Sequence, residues 1–293
     1  MRTEAGYRGV IVGVDGSAAA TVAVSWAARD AALRDEPLTL INVLPNPVTS
    51  WTDLALPNGY LDWRETKSRA LIAGALEVAR EAVHRKPIHI DTELVTGSPV
   101  GALADASKEA RLIVVGRRGT GRIRRMLGSV ASGLAHYAHC PVAIVPDADP
   151  LMPDPASAPI LVGIDGSAAA DRAATLAFEE AALRGVELVA LNACCDWRGD
   201  DYELQSLDAL VPQHRELLAQ RITKWQKQYP NVTVRSVVVP ADAARHLIEE
   251  SRRAQLLVVG SHGFGGFTGM LLGSVSSTVL RSIQTPVVVC RQS

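Results

Sequence analysis

Apolar positions along the chain fall into short blocks, and between them lie longer stretches of mixed, helix-like pattern. Two β-branched runs, Val10–Val14 and Ile160–Ile164, each precede an alanine-rich segment of helical composition, Ala18–Arg34 and Ala168–Arg184. A second apolar run follows each helix (Leu38–Leu44; Val186–Ala193), then a long helical stretch at about Leu61–Arg85 and Asp208–Tyr229. A third run (Ile88–Val95; Val232–Val239) and a short helix (Pro99–Glu109; Ala241–Arg253) lead to a fourth run that ends in a glycine-rich loop. A helix after "GS" and a final strand starting at Pro141 or Pro286 close each series. Short apolar strands alternating with helices predict an α/β fold, with parallel sheets covered on both faces.

The same pattern appears twice because the sequence does. "GVDGSAAA" (Gly13–Ala20) returns as "GIDGSAAA" (Gly163–Ala170), "LIVVG" (Leu112–Gly116) as "LLVVG" (Leu256–Gly260), and "LGSV" stands at Leu127–Val130 and Leu272–Val275. The chain therefore reads as a duplicated domain, 1–146 and 159–293. The join, "PDADPLMPDPASAP" (Pro146–Pro159), has five prolines and three aspartates; residues 147–158 read as an extended linker.

Composition narrows the function. The chain has 293 residues, is 47% apolar and carries a formal net charge of -1. That suffices for two proper cores and argues against nucleic acid as the main partner, which needs a basic face. The start has no run of signal-peptide length, and no apolar run reaches a membrane span, so the expectation is a cytoplasmic protein without a membrane partner. The four cysteines (Cys140, Cys194, Cys195, Cys290) make no CxxC. Buried or strand-end thiols are the plainer reading of the vicinal Cys194–Cys195, and a redox pair is the other.

Ligands of open α/β sheets bind beyond the carboxyl ends of the strands, where strand order reverses. Asp15, Asp165 and both glycine loops lie at such ends. In the second loop, Gly260 and Gly263 flank "SH", and Gly273-Ser274 opens a helix. Glycines let backbone N–H groups approach a phosphate, a helix N-terminus favours an anion, and Ser274, Ser276 and Ser277 add hydroxyls. The bland alternative is a set of tight turns and caps; recurrence of the loop in both halves favours binding. Neither loop has the lysine of a P-loop, and no GxGxxG follows the first strand. Asp15 and Asp165 stand there instead, fit to accept hydrogen bonds from a base or ribose, or to cap a helix.

Gly260-x-x-Gly263, nine residues, then Gly273-Ser274 resembles the ATP-binding motif of universal stress proteins, in the tandem bacterial form, and with "VGVDGS/VGIDGS", "LxVVG", "LGSV" and "CPV/TPV" the resemblance spans nearly the whole chain twice. It implies two tandem Rossmann-like domains with five-stranded, mainly parallel sheets, binding ATP with Mg2+. It places Asp15 and Asp165 near adenine or ribose, with Gly13 and Gly163 opening the strand end to the nucleotide. Val43 and Ala193 become the adenine wall. The phosphate loops become Gly116, Gly119, Gly128, Ser129 and Val130, and Gly260, Gly263, Gly273, Ser274, Val275 and Ser276. It further implies a homodimer through closing strands and domain faces, and roles in stress adaptation and growth control.

The first half departs from the motif. Eight residues, "TGRIRRML", separate Gly119 from Gly128, and Ala131 replaces Ser276. Arg117, Arg118, Arg122, Arg124 and Arg125 surround that loop, whereas "FGGFTGMLL" has no charge. The arginines either grip phosphates, Arg117 and Arg122 foremost, or form a solvated patch for an acidic protein partner. No catalytic triad or metal spacing is legible. His262 lies in the second loop and His136 and His139 near a helix end. A nucleotide-binding regulator is the preferred reading, a slow ATP hydrolase or nucleotide transferase its rival, and a scaffold without nucleotide the third.

Overall fold

The computed structural model describes residues 9–46, 58–119, 127–147, 156–194, 210–263, 272–282 and 284–291. The chain divides into two compact units, Met1–Asp147 and Ala148–Ser293; most of the proline-rich join, 148–155, lies outside the described residues.

In the first unit the elements run β1 (Val10–Gly13), α1 (Ala18–Arg34), β2 (Leu38–Leu44), α2 (Tyr60–Ala82), β3 (Ile90–Thr96), α3 (Pro99–Ala106), β4 (Leu112–Gly116), α4 (Ser129–Tyr137) and β5 (Val142–Val145). The strands form a parallel sheet in the order β3-β2-β1-β4-β5. The second unit repeats this: β6 (Ile160–Gly163), α5 (Ala168–Arg184), β7 (Leu188–Ala193), α6 (Val211–Gln228), β8 (Val234–Val239), α7 (Ala243–Ser251), β9 (Leu256–Gly260), α8 (Ser274–Ser282) and β10 (Val287–Cys290). Its order is β10-β9-β6-β7-β8, again parallel. Strand order therefore reverses between β1 and β4, and between β6 and β9.

The central strands are fully apolar because helices cover both faces: Val10, Ile11, Val12, Ile113 and Val114 are wholly buried, as are Ile160, Val162, Leu257 and Val258. Helices α1 and α5 are nearly all alanine on their buried sides (Ala19, Ala23, Ala27, Ala31; Ala169, Ala173, Ala177, Ala181), so their axes lie close to the sheet. Each begins with the same cap, Ser17 or Ser167, whose Oγ accepts from Ala20 N at 3.1 Å or Ala170 N at 3.2 Å. Each ends on a left-handed residue, Asp35 (φ 60°) or Gly185 (φ 66°). A buried ion pair closes the last turn: Arg34–Asp30 and Arg184–Glu180, both 2.9 Å.

The sequence reading of the helices α1 and α5 and of β2 matches residue for residue. Two differences have simple causes. β1 and β6 stop one residue earlier than expected, since the carbonyls of Val14 and Ile164 turn to accept from Asn42 Nδ2 (2.6 Å) and Asn192 Nδ2 (2.7 Å). The helix expected over 99–109 ends at Ala106, and Ser107–Glu109 tightens into a 3-10 turn.

Candidate functional site

The crevice where strand order reverses holds the "DGS" turn after β1 and the loop after β4, and the two are joined side chain to backbone. Asp15 Oδ1 accepts from Ser17 N at 2.9 Å, which folds the turn back on itself. Ser17 Oγ reaches across to donate to the Arg118 carbonyl at 3.4 Å. The second half is built alike: Ser167 N to Asp165 Oδ1, 2.9 Å, and Ser167 Oγ to the His262 carbonyl, 3.2 Å. Asp15 and Asp165 remain exposed beside these contacts. The loops are then closed by Gly128 N to the Arg117 carbonyl (2.9 Å) and Gly273 N to the Ser261 carbonyl (2.7 Å). Helices α4 and α8 start immediately after, with Ser129 and Ser274 exposed at their first positions. Val130 and Val275 follow, half-buried.

The glycines have more specific reasons than general access. A Cβ at Gly119 would lie 2.6 Å from Asp15 Oδ2, and one at Gly263 would strike Asp165 Oδ2. The aspartate and the loop glycine thus occupy each other's space, and any side chain would push the carboxylate away. At Gly116 the obstacle is the helix: a Cβ would come within 2.7 Å of the Ala19 backbone, and at Gly260 within 2.9 Å of Ala169 and Ala170. These two glycines let α1 and α5 dock on the strand ends. Gly13 and Gly163, expected to open the strand end to a nucleotide, have helix side chains beside them, Leu103 Cδ1 at 3.1 Å and Leu247 Cδ1 at 3.3 Å from a Cβ. Gly128 and Gly273 sit on loop backbone, 3.2 Å from the Arg117 carbonyl and 3.4 Å from His262 Cα by the same construction.

Other expected residues find different partners. The Ser276 hydroxyl is buried and donates to the Gly260 carbonyl at 2.6 Å, so its proton anchors the loop. Ala131, its counterpart, is buried without that bond to offer. Arg117, read in the sequence either as a phosphate grip or as part of a solvated patch, is only 8% exposed. Burial is the main cause that lowers its pKa from the ordinary value, Arg118 adds to this, and Asp147 opposes it. Arg118 Nη1 pairs with Asp147 Oδ2 at 2.7 Å. Arg122, like Arg124 and Arg125, lies outside the described residues, as does Cys195. Val43 and Ala193 are half-buried near the carboxyl ends of β2 and β7, one strand away from the turn. Ser261 Oγ and His262 Nδ1 are 3.1 Å apart. Cys140 is buried, and its thiol is pushed up to about 12, which keeps it protonated and unreactive at neutral pH.

Three features escaped the sequence reading. Gly16 and Gly166 carry left-handed backbone (φ 80° and 91°) inside the "DGS" turn. Over them lie side chains from the long helices: a Cβ at Gly16 would meet Leu71 Cδ2 at 2.6 Å, and one at Gly166 would overlap Arg221 Nη1. Asn42 and Asn192 hold the strand end, as described above. In the second half Asn192 Oδ1 lies 3.0 Å from His214 Nδ1; an amide oxygen only accepts, so that nitrogen carries the proton. In the first half Asn42 Oδ1 is buried without a hydrogen-bond partner among the described residues. The asparagines share the 150-residue repeat offset of Asp15 and Asp165, a signal the sequence contained.

A duplicated parallel α/β unit with an aspartate-glycine crevice at each reversal point defines a class of two-domain α/β proteins with one rim site per half. Comparison with known proteins names the family. The model of the Universal stress protein family matches residues 6–146 and again 157–291. Universal stress protein Rv2623 of Mycobacterium tuberculosis is 48% identical over 292 residues, covering 97% of both chains. Universal stress protein Rv2005c of the same organism is 46% identical over 289 residues, with the same coverage. In fold, the chain is similar to a universal stress protein from Archaeoglobus fulgidus (TM-score 0.70, 22% identity, 98% of each chain). The chain belongs to the universal stress protein family. Among the described residues no helix is long and apolar enough to cross a membrane, and no group of three His, Cys, Asp or Glu side chains is placed to hold a metal ion.

Proposed function

We propose that each half binds ATP, with Mg2+, in its β1–β4 or β6–β9 crevice, and that the protein acts as a nucleotide-dependent regulator of stress adaptation and growth rather than as an enzyme. The observation that carries this reading is the exposed carboxylate packed against the loop glycine in both halves, Asp15 on Gly119 and Asp165 on Gly263. An exposed acceptor suits the hydroxyls of a ribose or the amine of a base. The adjoining N-terminus of a helix, with Ser129 or Ser274 exposed on it, suits a phosphate. The half-buried Val43 and Ala193 offer the base an apolar neighbour. Family membership adds weight to the reading. It also favours assembly as a homodimer in the cytoplasm.

The test is direct. Nucleotide is sought in the supernatant of purified, heat-denatured protein, and stripped protein is then melted with Mg-ATP. At about 100 times its dissociation constant, ATP adds about 2.7 kcal/mol per site, or several degrees at roughly 2–4 °C per kcal/mol. No released nucleotide and no shift would leave the scaffold reading in its place. Turnover of ATP by the same preparation would replace the regulator with a hydrolase.

A further inference from the structure

We propose that Arg221 is a phosphate-contacting residue of the second half, supplying from helix α6 the positive charge that the first half carries in its glycine loop. The inference rests on the rim-site reading above and deepens it.

The second loop has no lysine or arginine anywhere between Ser261 and Gly273. Asp165 adds a carboxylate beside it. Arg221 is a cation packed over the turn. Its Nη1 and Cζ would overlap a Cβ on Gly166, the residue between Asp165 and Ser167. Both neighbours reach the loop, Asp165 against Gly263 and Ser167 to the His262 carbonyl. The guanidinium therefore sits one residue from each contact that joins turn to loop.

Its position is set by the helix. Leu218, Ile222 and Trp225 of α6 are buried, Trp225 stacks on Phe178 at 5.8 Å and its Nε1 donates to Thr175 Oγ1 at 2.9 Å. The next basic residue, Lys224, is committed to Asp171 at 2.7 Å. Arg221 is half-buried and, among the described residues, makes no hydrogen bond or ion pair. A half-desolvated guanidinium with its planar fork of donors unspent is matched by a phosphate, which accepts two parallel bonds. In the first half the same place over Gly16 is taken by Leu71, and charge stands in the loop as Arg117 and Arg118.

The experiment uses the full chain with Asp15→Ala, so that the second half is read alone, and titrates ATP, sodium tripolyphosphate and adenosine at low and high salt. Arg221→Leu is expected to weaken ATP and tripolyphosphate at least about tenfold, flatten their salt dependence, and leave adenosine within about twofold. Arg221→Lys should fall between. Arg221→Gln keeps much of the aliphatic stem and serves if the leucine variant does not fold. Unchanged ATP affinity, or equal loss for ATP and adenosine, overturns the proposal by showing no role or a packing role. Tripolyphosphate binding that depends on Arg221 in a chain that binds no nucleotide upholds the proposal and refutes the nucleotide reading. Binding of none of the three refutes both.

Discussion

Gly260 and Gly263 stand three residues apart and are needed for different reasons. At Gly260 a methyl would strike the backbone of Ala169 and Ala170, where helix α5 cannot retreat without leaving the sheet. At Gly263 it would strike Asp165 Oδ2, an exposed side chain that can swing out. Gly260→Ala is therefore expected to cost about 1–3 kcal/mol of stability, read as a clear fall in melting temperature. Gly263→Ala should melt close to the parent but bind ATP more weakly in the second half, because it displaces the carboxylate. A Gly263→Ala chain with parental stability and parental affinity would remove Asp165 from the site. The glycine motif was legible as a pattern, but its division into docking and carboxylate-seating positions required the neighbours to be known.

At the scale of elements, each long alanine-rich helix ends in a charge pair inside the protein. Asp30 and Glu180 are 1% exposed, and Arg34 and Arg184 lie one turn on. Breaking such a pair leaves a buried charge uncompensated, whereas replacing both partners by apolar groups need not be harmful. Arg34→Ala is expected to destabilise the first unit by about 3–5 kcal/mol, and Asp30→Leu with Arg34→Met to recover most of that loss. Denaturant unfolding of the three proteins checks it; a single variant as stable as the parent would mean that Asp30 is adequately held by other contacts. The sequence repeats "AALR" at Ala31–Arg34 and Ala181–Arg184, but does not show that its arginine closes on an acid one turn earlier. The acid differs, Asp30 in one half and Glu180 in the other, so a search for identical residues passes over it. The long helices differ too: Trp225 and Phe178 stack in the second half where Ala75 and Ala28 hold the equivalent positions in the first. The same slot is filled by different volumes, so the helix rim residues, Leu71 and Arg221, were free to diverge.

For the whole molecule the duplication makes a count the decisive quantity. Both crevices keep the aspartate, its Oδ1 bond to the serine backbone, and the loop glycine, despite one residue fewer in the first loop. Equilibrium dialysis is expected to find two ATP per chain, one after Asp15→Ala or Asp165→Ala, and none after both. A parent that binds one would show that the shorter loop of the first half abolishes its site. The loop arginines do not decide the matter alone, since Arg117 is buried and Arg118 already holds Asp147.

The sequence by itself determined the repeat, the order of strands and helices, and the rim on which a ligand would sit. These follow from local periodicity and from residues recurring at fixed offsets, which need no knowledge of distant neighbours. It also carried the family, because the motifs stand in order across both halves. Only the tertiary structure decided what each motif residue packs against. What lies beside Gly13, whether Ser276 gives its proton to the backbone, and whether Arg117 is exposed all depend on atoms far away in the chain. So does the place of Arg221 over Gly166, 55 positions earlier in the chain. Side-chain function is set by packing between elements, and packing brings together residues whose separation no local pattern records.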